Sequence, residues 1–564
     1  MENIIIVECI STGINYIQDI IDRNYNPIVL ELKLELDSEE GQKYAEIIHS
    51  EYERIDNEFE IIYEKDSYEE TLEMVKKYNP KLILPGNEKG VRLATKLAND
   101  LNLLCNPIEN LDAMTYKNEM HKRLAEKGLR HIKGKVVKSV EEAIEYFDSE
   151  GFDQVVVKPV YSAASVGVKI CMNREEMIDA VSKSFSKHGY YGNAFNEVLI
   201  QERITGDEYI VNTVSCDGVH RITAIWKYGK ITTSEGGQIY DSCTIVSDLN
   251  LGESEMVEYA YDVADALGIK YGPVHGEYMI DEKGPVLIEV NCRPCGGNME
   301  ADFLNRITGQ HETDSSLDSY LNPEKFHIER QKGYKLIGYG ALKFFIVPED
   351  LIATSAPMTH ISSKLKSHYK TSITQIIGHL PFAKTKDLET APGIVYLVDE
   401  NPYQVQKDME FLKSIEKYAF QLVLSEGLEK NISINEEETY ENIKTLLNEM
   451  KAFGTSLLIT DSIYDDLDTI QVTPAELKGI KGEFDLVIVN LNKSLLEESD
   501  DAIASFILNT FDKIRIGGLL IIPKETYDAM PSGRLGAEAL VKTLNLRIQL
   551  PLHNFPKMLI ASKK

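Results

Sequence analysis

Four polar residues near the middle of the chain have the types and spacing of a site that binds a cation and a phosphate. Glu277 and Glu289 lie on the two arms of a predicted β-hairpin, where they can face each other across the ladder. Alternation puts Asn291 on the face of Glu289, and Arg293 follows two residues later. Two carboxylates and an amide oxygen suit Mg²⁺ bound together with phosphates, and a guanidinium can hold a phosphate or a developing oxyanion. The alternative is a solvated sheet face, but the apolar residues around Glu289 favour a buried strand with partnered acids.

A strand that ends in a lysine, followed by a loop of small residues, is a second phosphate-binding pattern. Val156-Val157-Lys158-Pro159 ends the strand, and residues 162–168 read Ser-Ala-Ala-Ser-Val-Gly-Val. Small side chains let backbone N–H groups approach an anion, and the lysine adds a fixed charge. This is not a Walker loop, because no G-x-x-x-x-G-K-[ST] motif is present. Taken alone, the segment is equally an ordinary β-turn, and Lys117 alone is equally a surface lysine.

A turn after another strand could hold a nucleotide base. Gln201 and Glu202 end this strand, and Gly206 and Glu208 follow. Such a hinge can pair its backbone with an adenine edge, while a carboxylate a few residues later accepts hydrogen bonds from ribose hydroxyls. Without its neighbours, the segment is explained as well by a solvated acidic turn.

Three further features support weaker predictions. Cys292-x-x-Cys295 has redox or zinc spacing, but neither a second pair nor a His-x-x-His accompanies it. His275 shares a face with Glu277, and we expect it to be structural. The stretch 233–238, between Lys227 and Tyr240, is a candidate mobile substrate loop.

The composition narrows the class of protein. A chain of 564 residues with 43% hydrophobic residues can form three or four domains with large cores. The net charge of −30 argues against nucleic acid or a membrane surface as a partner, since both are anionic. Seven irregularly spaced cysteines, no signal sequence and no apolar run of about 20 residues predict a cytoplasmic protein. A homodimer is the working expectation for its assembly.

Strand and helix patterns divide the chain into four predicted regions. Residues 1–105 alternate strands and helices, which predicts a small parallel α/β domain. Residues 106–335 contain two hairpins and predict an α+β body. Residues 336–425 add short strands, and residues 426–564 predict a second parallel α/β domain. The predicted fold class is therefore multidomain, α/β and α+β.

In combination and in order, these motifs resemble the ATP-grasp superfamily, and within it the carboxylate–amine ligases that act on L-amino acids. The resemblance begins at residues 85–91, which look like part of the pre-ATP-grasp domain, and reaches about residue 420, roughly three quarters of the chain. The other motifs that carry it are Tyr116-Lys117-Asn118, Val157-Lys158-Pro159, residues 162–168, Glu202 to Glu208, Gly272-Pro-Val-His-Gly-Glu277 and Ile288-Glu-Val-Asn-Cys-Arg293.

The resemblance implies a role for each matching residue. Lys117 and Lys158 would contact the phosphates of ATP, and the loop with Ser162, Ser165 and Gly167 would close over them. Gln201, Glu202 and Ile204 would bind adenine, and Glu208 would bind ribose. Glu277, Glu289 and Asn291 would hold Mg²⁺, with Mn²⁺ as an alternative. Arg293 and Lys158 would be catalytic, Arg293 by stabilising an acyl phosphate and a tetrahedral intermediate. The loop departs from the family pattern at Ala163-Ala164, where a glycine is common.

The implied reaction has two steps and two small-molecule substrates. A carboxylate attacks the γ-phosphate to give an acyl phosphate and ADP, and an amine then displaces phosphate to give an amide. A thiol or hydroxyl acceptor stays open. So does a non-catalytic or regulatory ATP-binding module that docks a partner through the C-terminal domain, although the retained ligands argue against it.

The last domain carries a resemblance of its own. Residues 483–490 and 516–523 resemble late strands of class I methyltransferase-like Rossmann folds, but the glycine-rich loop that binds S-adenosylmethionine is absent. We therefore predict a degenerate domain for dimerisation or partner contact, with an active methyltransferase as the minority alternative.

Overall fold

The structure is a computed structural model of the chain. The residues that it describes are 1–33, 48, 51–52, 55, 57–160, 168–185, 197–232, 238–247, 249–347, 351–352, 362–363, 365–373, 381–382, 384–386, 388, 390–415, 443–444, 447–448, 454–460, 464–490, 506, 509–510, 513–523, 546–549 and 558–563. Ser162, Ser165, Gly167 and residues 233–237 therefore lie outside the described residues. The chain forms two compact units, Met1–Gly237 with Cys243–Gly340, and Gln238–Ser242 with Ala341–Lys564. The finer division into four domains stays a prediction.

The N-terminal part of the first unit is a parallel sheet with flanking helices. Its elements are β1 (Asn3–Val7), α1 (Asn15–Asp22), β2 (Asn26–Glu31), β3 (Glu60–Tyr63), α2 (Tyr68–Lys77), β4 (Pro80–Pro85) and α3 (Gly90–Asp100). The order is β3-β2-β1-β4, and all neighbours are parallel. β1 is a continuous apolar run because both faces of a parallel sheet are covered. The predicted parallel sheet is confirmed, and β3 is an addition that the pattern did not indicate.

Two loops at the carboxyl edge of this sheet approach each other closely. β2 and β4 lie on opposite sides of β1, which makes the ends of β1 and β4 a switch point where open α/β sheets bind ligands. A Cβ on Gly13 would lie 2.0 Å from the carbonyl oxygen of Gly86, and a Cβ on Gly86 would lie 2.5 Å from that of Glu8. Glycine at both positions therefore lets the loop that follows β4 reach the end of β1.

The rest of the first unit combines two antiparallel sheets with helices, as the predicted α+β body requires. Its helices are α4 (Leu111–Thr115), α5 (Lys117–Glu126), α6 (Val140–Glu150), α7 (Arg174–Ser184), α8 (Leu251–Leu267), α9 (Ala301–Thr308), α10 (Glu312–Leu321) and α11 (Pro323–Gln331). Its strands are β5 (Gly134–Val137), β6 (Val155–Pro159), β7 (Lys169–Cys171), β8 (Val198–Glu202), β9 (Asp207–Cys216), β10 (Val219–Thr232), β12 (Gly272–Asp281) and β13 (Gly284–Asn291), with β11 (Gln238–Ile245) divided between the units.

The two sheets have simple orders. One is β5-β8-β6-β7, and in the other β13, β12, β9 and β10 are successive neighbours. Asp217 and Gly218, at φ 49° and 75°, form the tight turn between β9 and β10. α8 begins with a capping box of Asn250 and Glu253, and its buried face packs on the core next to β13. α8 therefore packs on the core-facing side of the hairpin formed by β12 and β13.

The described part of the second unit holds short strands, one α-helix and a further sheet, and its first strand begins in the first unit. Its elements are β14 (Tyr339–Phe344), β15 (Leu351–Ile352), β16 (His368–Ile373), β17 (Pro381–Phe382), β18 (Gly393–Asp399), α12 (Pro402–Ile415), β19 (Ser456–Thr460), β20 (Ile470–Val472), β21 (Phe484–Asn490), β22 (Ile514–Pro523), β23 (Leu546–Gln549) and β24 (Met558–Lys563). The last six strands have the order β20-β19-β21-β22-β24-β23. Pairs among the first four are parallel, and β24 is antiparallel to both neighbours. The C-terminal sheet is therefore mixed, because β24 runs opposite to its neighbours, and the predicted parallel arrangement holds for β19 to β22. Its likeness to methyltransferases stays a prediction. Among the described helices, none is both long and apolar enough to cross a membrane.

Candidate active site

The hairpin of β12 and β13 sets two carboxylates face to face. Glu277 lies directly opposite Glu289, and His275 lies opposite Asn291. The register shifts immediately after Glu277, so the irregular part of the ladder lies on the turn side of this pair. The side chains of the two glutamates keep 22% and 15% of their exposure, which is enough for a ligand to reach them. The register expected from the alternation of residues is therefore the one observed.

Lys117 neutralises one of these carboxylates. Its Nζ lies 2.7 Å from Oε2 of Glu289. Lys117 is the first residue of α5, and its backbone N–H donates to the carbonyl oxygen of Val160, just past the end of β6. Burial alone would raise the pKa of Glu289, but Lys117 and Lys158 together hold that pKa well below its usual range. Glu289 is therefore a charged carboxylate at neutral pH.

Lys158 is buried beside the same carboxylates. It is only 6% exposed and is the next-to-last residue of β6, immediately before Pro159. The pKa of Lys158 is lowered to about 8, first by burial and then by the nearby charge of Lys117. Glu289, Glu277 and Glu208 act in the opposite direction and offset part of this shift. An ammonium this poorly solvated gains strongly from a multiply charged anion, so this corner of the site suits a phosphate group.

Asn291 is oriented so that its oxygen can serve as a ligand. With the amide nitrogen toward Glu88, it donates to the two carboxylate oxygens at 2.6 and 2.9 Å. The amide oxygen then lies 3.4 Å from Oε1 of Glu289. Two acceptor oxygens with no hydrogen between them fit a shared cation, so these residues are suited to Mg²⁺. In the described part of the chain, no three His, Cys, Asp or Glu side chains form a metal site by themselves.

Arg293 has a partner that the sequence reasoning did not assign. Its Nε lies 3.3 Å from Oε2 of Glu88, in the loop after β4, and its Nη1 donates to the carbonyl oxygen of Pro294. Burial raises the pKa of Glu88 despite the opposing charges of Arg293 and Lys117. The available signal was the motif at residues 85–91, which carried the family resemblance without a role for its glutamate. Glu88 thus links the parallel sheet to the guanidinium.

The predicted nucleotide turn lies next to β6. Val156 pairs with Gln201 and Val155 with Glu202, so β8 ends beside the strand that carries Lys158. Gln201 is 2% exposed, and within the described residues its Nε2 has no hydrogen-bond partner. Ile204 and Glu202 are half-buried at the turn. A buried donor without a partner fits a site that is completed by a base.

Glu208 is buried at the start of β9 and forms an ion pair with Lys230 on β10. Gly206 precedes it where a Cβ would lie 2.2 Å from the carbonyl oxygen of Ile280. The turn is therefore held tightly against β12, close to Glu277. Lys230 is a second residue that sequence reasoning missed, because it belongs to none of the motifs and meets Glu208 only across the hairpin of β9 and β10.

Two histidines and two cysteines are buried near the site, and His275 Nε2 lies 3.5 Å from Oε1 of Glu277. His275 Nδ1 lies 2.9 Å from Oδ1 of Asn212, and burial lowers the pKa of the ring. His121, one turn after Lys117, contacts the carbonyl oxygen of Ile288, and burial lowers its pKa to about 3. Cys292 and Cys295 are buried thiols whose pKa values burial raises, which disfavours the reactive thiolate.

Comparison with known proteins agrees with this geometry. A model of the ATP-grasp domain matches residues 152–302. Dapdiamide A synthase of Enterobacter agglomerans is 27% identical over 361 residues, which are 63% of this chain and 84% of that protein. The carbamoyl phosphate synthase large chain of Thermotoga neapolitana is 26% identical over 236 residues, which are 39% of this chain but only 21% of that protein. The structure of an L-amino acid ligase from Bacillus licheniformis superposes with a TM-score of 0.57 at 15% identity, over 75% of this chain and 99% of that one.

Fold, site and sequence similarity together define the class of protein. The chain contains an ATP-grasp domain at residues 152–302 and is an enzyme, as its similarity to a synthase over 63% of its length indicates. The predicted recognition and fold class are thereby confirmed for this part of the chain. The methyltransferase-like interpretation of the C-terminal domain is not confirmed by these similarities.

Proposed function

We propose that this enzyme uses ATP to join the carboxylate of an amino acid to an amine, through an acyl phosphate, with release of ADP and phosphate. The observation that carries the proposal is the convergence of Lys117, Lys158, Glu289, Asn291 and Arg293 around one buried corner of the first unit. Cations for phosphate, oxygen ligands for a metal and a guanidinium for the acyl group are what this chemistry needs. No side-chain nucleophile is required.

The chain's own residues would do most of the work by position and charge. Lys117 and Lys158 would neutralise the phosphates and hold the γ-phosphate toward the incoming carboxylate. Mg²⁺, held by Glu277, Glu289 and Asn291, would supply further neutralisation of phosphate charge. Arg293 would stabilise negative charge on the acyl phosphate and on the tetrahedral intermediate, while Glu88 keeps its guanidinium oriented.

The substrate class is supported by similarity and by the electrostatics of the site. One relative is a dapdiamide synthase and one structural neighbour is an L-amino acid ligase by name. Glu88 is 6% exposed and burial raises its pKa, so a buried carboxyl whose charged form favours a neighbouring cation lies beside Arg293. An amino acid brings an ammonium group within a few bonds of its reacting carboxylate, which suits these surroundings.

The test is phosphate release from Mg·ATP with amino acids supplied singly and in pairs, with product mass measured. We expect release that depends on two amino acids and a product mass equal to their sum less one water. The control is Arg293→Lys, which keeps the charge but loses the two-pronged donor geometry. If no combination raises release above the rate with ATP alone, the ligase proposal is wrong. Release that needs an amino acid and a thiol or alcohol would instead assign a different acceptor.

A non-catalytic ATP-binding module is not favoured, because such a module has no need of Arg293 or of paired carboxylates. The proposed partners are thus the two small-molecule substrates. The homodimer and the cytoplasmic location remain predictions, as does the lid role of residues 162–168.

A further inference from the structure

The loop from Arg293 to Met299, here called the Arg293 loop, is hydrogen-bonded to residues that follow β1. Thr12 Oγ1 accepts a hydrogen bond from the backbone N–H of Met299 at 3.0 Å and donates to the carbonyl oxygen of Gly296 at 3.3 Å. Ser11 Oγ accepts from the backbone N–H of Asn298 at 3.1 Å. The turn after β1 thus holds the far end of the loop.

Glu312, the first residue of α10, holds the near end. Its Oε2 accepts a hydrogen bond from the backbone N–H of Cys295 at 2.6 Å, two residues after Arg293. The residue is 2% exposed, so it acts through the loop rather than on a substrate. Its Oε1 has no hydrogen-bond partner among the described residues, and burial raises the pKa of Glu312 to about 7. A carboxyl group at this position destabilises the fold, because a buried polar atom without a partner loses its hydration.

The loop itself supplies little rigidity. Gly297 has φ 85°, where a Cβ would lie 3.6 Å from the Met299 side chain, and a Cβ on Gly296 would meet no atom within 4 Å. Two successive glycines place few intrinsic restraints on the backbone here. The guanidinium of Arg293 gains one internal hydrogen bond, to Pro294 O. Because glycines allow many backbone conformations, the position of Arg293 depends on what anchors the residues after it.

We propose that Thr12 and Glu312 form a clamp on the Arg293 loop and act as positioning residues for the acyl-transfer chemistry. The clamp joins the N-terminal sheet and α10 to the guanidinium, although neither residue touches a substrate. This inference rests on the proposed ligase function. A misplacement of about 1 Å in a catalytic group costs up to about 100-fold in rate, so fixing this loop has a direct kinetic effect.

The clamp is tested with Glu312→Ala, Glu312→Gln, Thr12→Val and the double variant Thr12→Val/Glu312→Ala. We expect Glu312→Ala to lower kcat by about 10- to 100-fold while the KM for ATP changes by less than about twofold. Glu312→Gln should stay within about threefold of wild type, because its amide oxygen accepts the same N–H. Thr12→Val should lower kcat in the same manner, and the losses in the double variant should be less than multiplicative, because both residues act on one loop.

Ser316→Ala is the matched control. It removes the hydrogen bond from Tyr16 OH to Ser316 Oγ. This bond joins α1, just after Thr12, to α10, which begins at Glu312, and it does not involve the Arg293 loop. It should lower the melting temperature and leave kcat unchanged. The proposal is overturned if Glu312→Ala, folded, keeps wild-type kcat, if Glu312→Gln loses as much as Glu312→Ala, or if the two single losses multiply. A wild-type enzyme without amino-acid-dependent phosphate release would refute the ligase function instead, so the two failures are distinguishable.

Discussion

Replacing Lys158 with methionine should stabilise the metal-free, nucleotide-free protein, and the gain should shrink as pH rises. The ammonium of Lys158 is buried and its pKa is lowered from 10.5 to about 8, first by burial and then by Lys117. Below pH 8 the group is charged in both the folded and the unfolded chain. Between about 8 and 10.5 it is charged only in the unfolded chain, so the folded state no longer carries the cost of the buried charge.

The pKa difference sets the size of the effect. Holding the charge in the folded protein at pH 7 costs about 3 kcal/mol, and at pH 9.5 the remaining cost is about 1 kcal/mol. The variant should therefore exceed wild type in free energy of unfolding by up to about 3 kcal/mol at pH 7, and this advantage should fall by about 2 kcal/mol by pH 9.5. ATP-dependent turnover should be lost, because the same charge binds phosphate.

Urea unfolding in the presence of a chelator measures this advantage at each pH. Trp226 is the only tryptophan of the chain, is fully buried in the first unit and stacks on Phe303, so its fluorescence reports the unit that contains Lys158. Lys169→Met, at an exposed position paired with Val157 on the neighbouring strand, is the control and should show no change with pH. An advantage of Lys158→Met that is the same at pH 7 and pH 9.5 would refute the reasoning.

Three further substitutions test other parts of the site. Glu289→Gln should abolish phosphate release and nucleotide-dependent Mn²⁺ binding, measured by electron paramagnetic resonance, and should destabilise the fold by about 3 kcal/mol because Lys117 stays buried without its carboxylate. Wild-type Mn²⁺ affinity in that variant would contradict the metal assignment. Arg293→Lys should lower kcat by about 100-fold with the KM for ATP within about twofold of wild type, and a parallel loss of ATP affinity in steady-state kinetics would count against its place at the acyl group. Glu208→Gln should raise the KM for ATP about tenfold but leave that for 2′,3′-dideoxy-ATP almost unchanged, whereas equal losses would remove Glu208 from the ribose.

The pairing at the centre of the site was predictable, because alternation and a short turn leave the hairpin one register that buries its apolar face. Glu277 opposite Glu289 follows from local sequence alone. The contact between Glu88 and Arg293 does not, because it joins residues about 200 positions apart through the packing of two sheets. Lys230 was missed for a different reason: it lies 22 positions from Glu208 on the partner strand of a hairpin, but it belongs to none of the motifs that were assigned roles.

Larger errors of omission have a similar origin. Helices α9 to α11, between residues 301 and 331, were not predicted. α9 is amphipathic and buries Phe303, Leu304 and Ile307, whereas the apolar pattern of α10 is weak because it is buried largely through serine, threonine and acidic side chains. His311 and Thr313 both hydrogen-bond to the carboxylate of Asp19, which lies on α1. Buried polar networks of this kind are specified by three-dimensional partners, which periodicity cannot reveal.

The ion pair between Lys117 and Glu289 makes the nucleotide and the cation depend on each other for entry. In the free enzyme Lys117 already neutralises Glu289, the carboxylate that Mg²⁺ would use. A cation that arrives without a nucleotide would therefore meet less negative charge than the two glutamates alone would provide. On the proposed function, bound phosphates would draw the ammonium toward themselves and leave the carboxylate available to the cation. By thermodynamic reciprocity, whatever factor the nucleotide adds to metal affinity, the metal adds to nucleotide affinity. The free enzyme should therefore bind free Mg²⁺ weakly and bind the complex of Mg²⁺ with the nucleotide much more tightly.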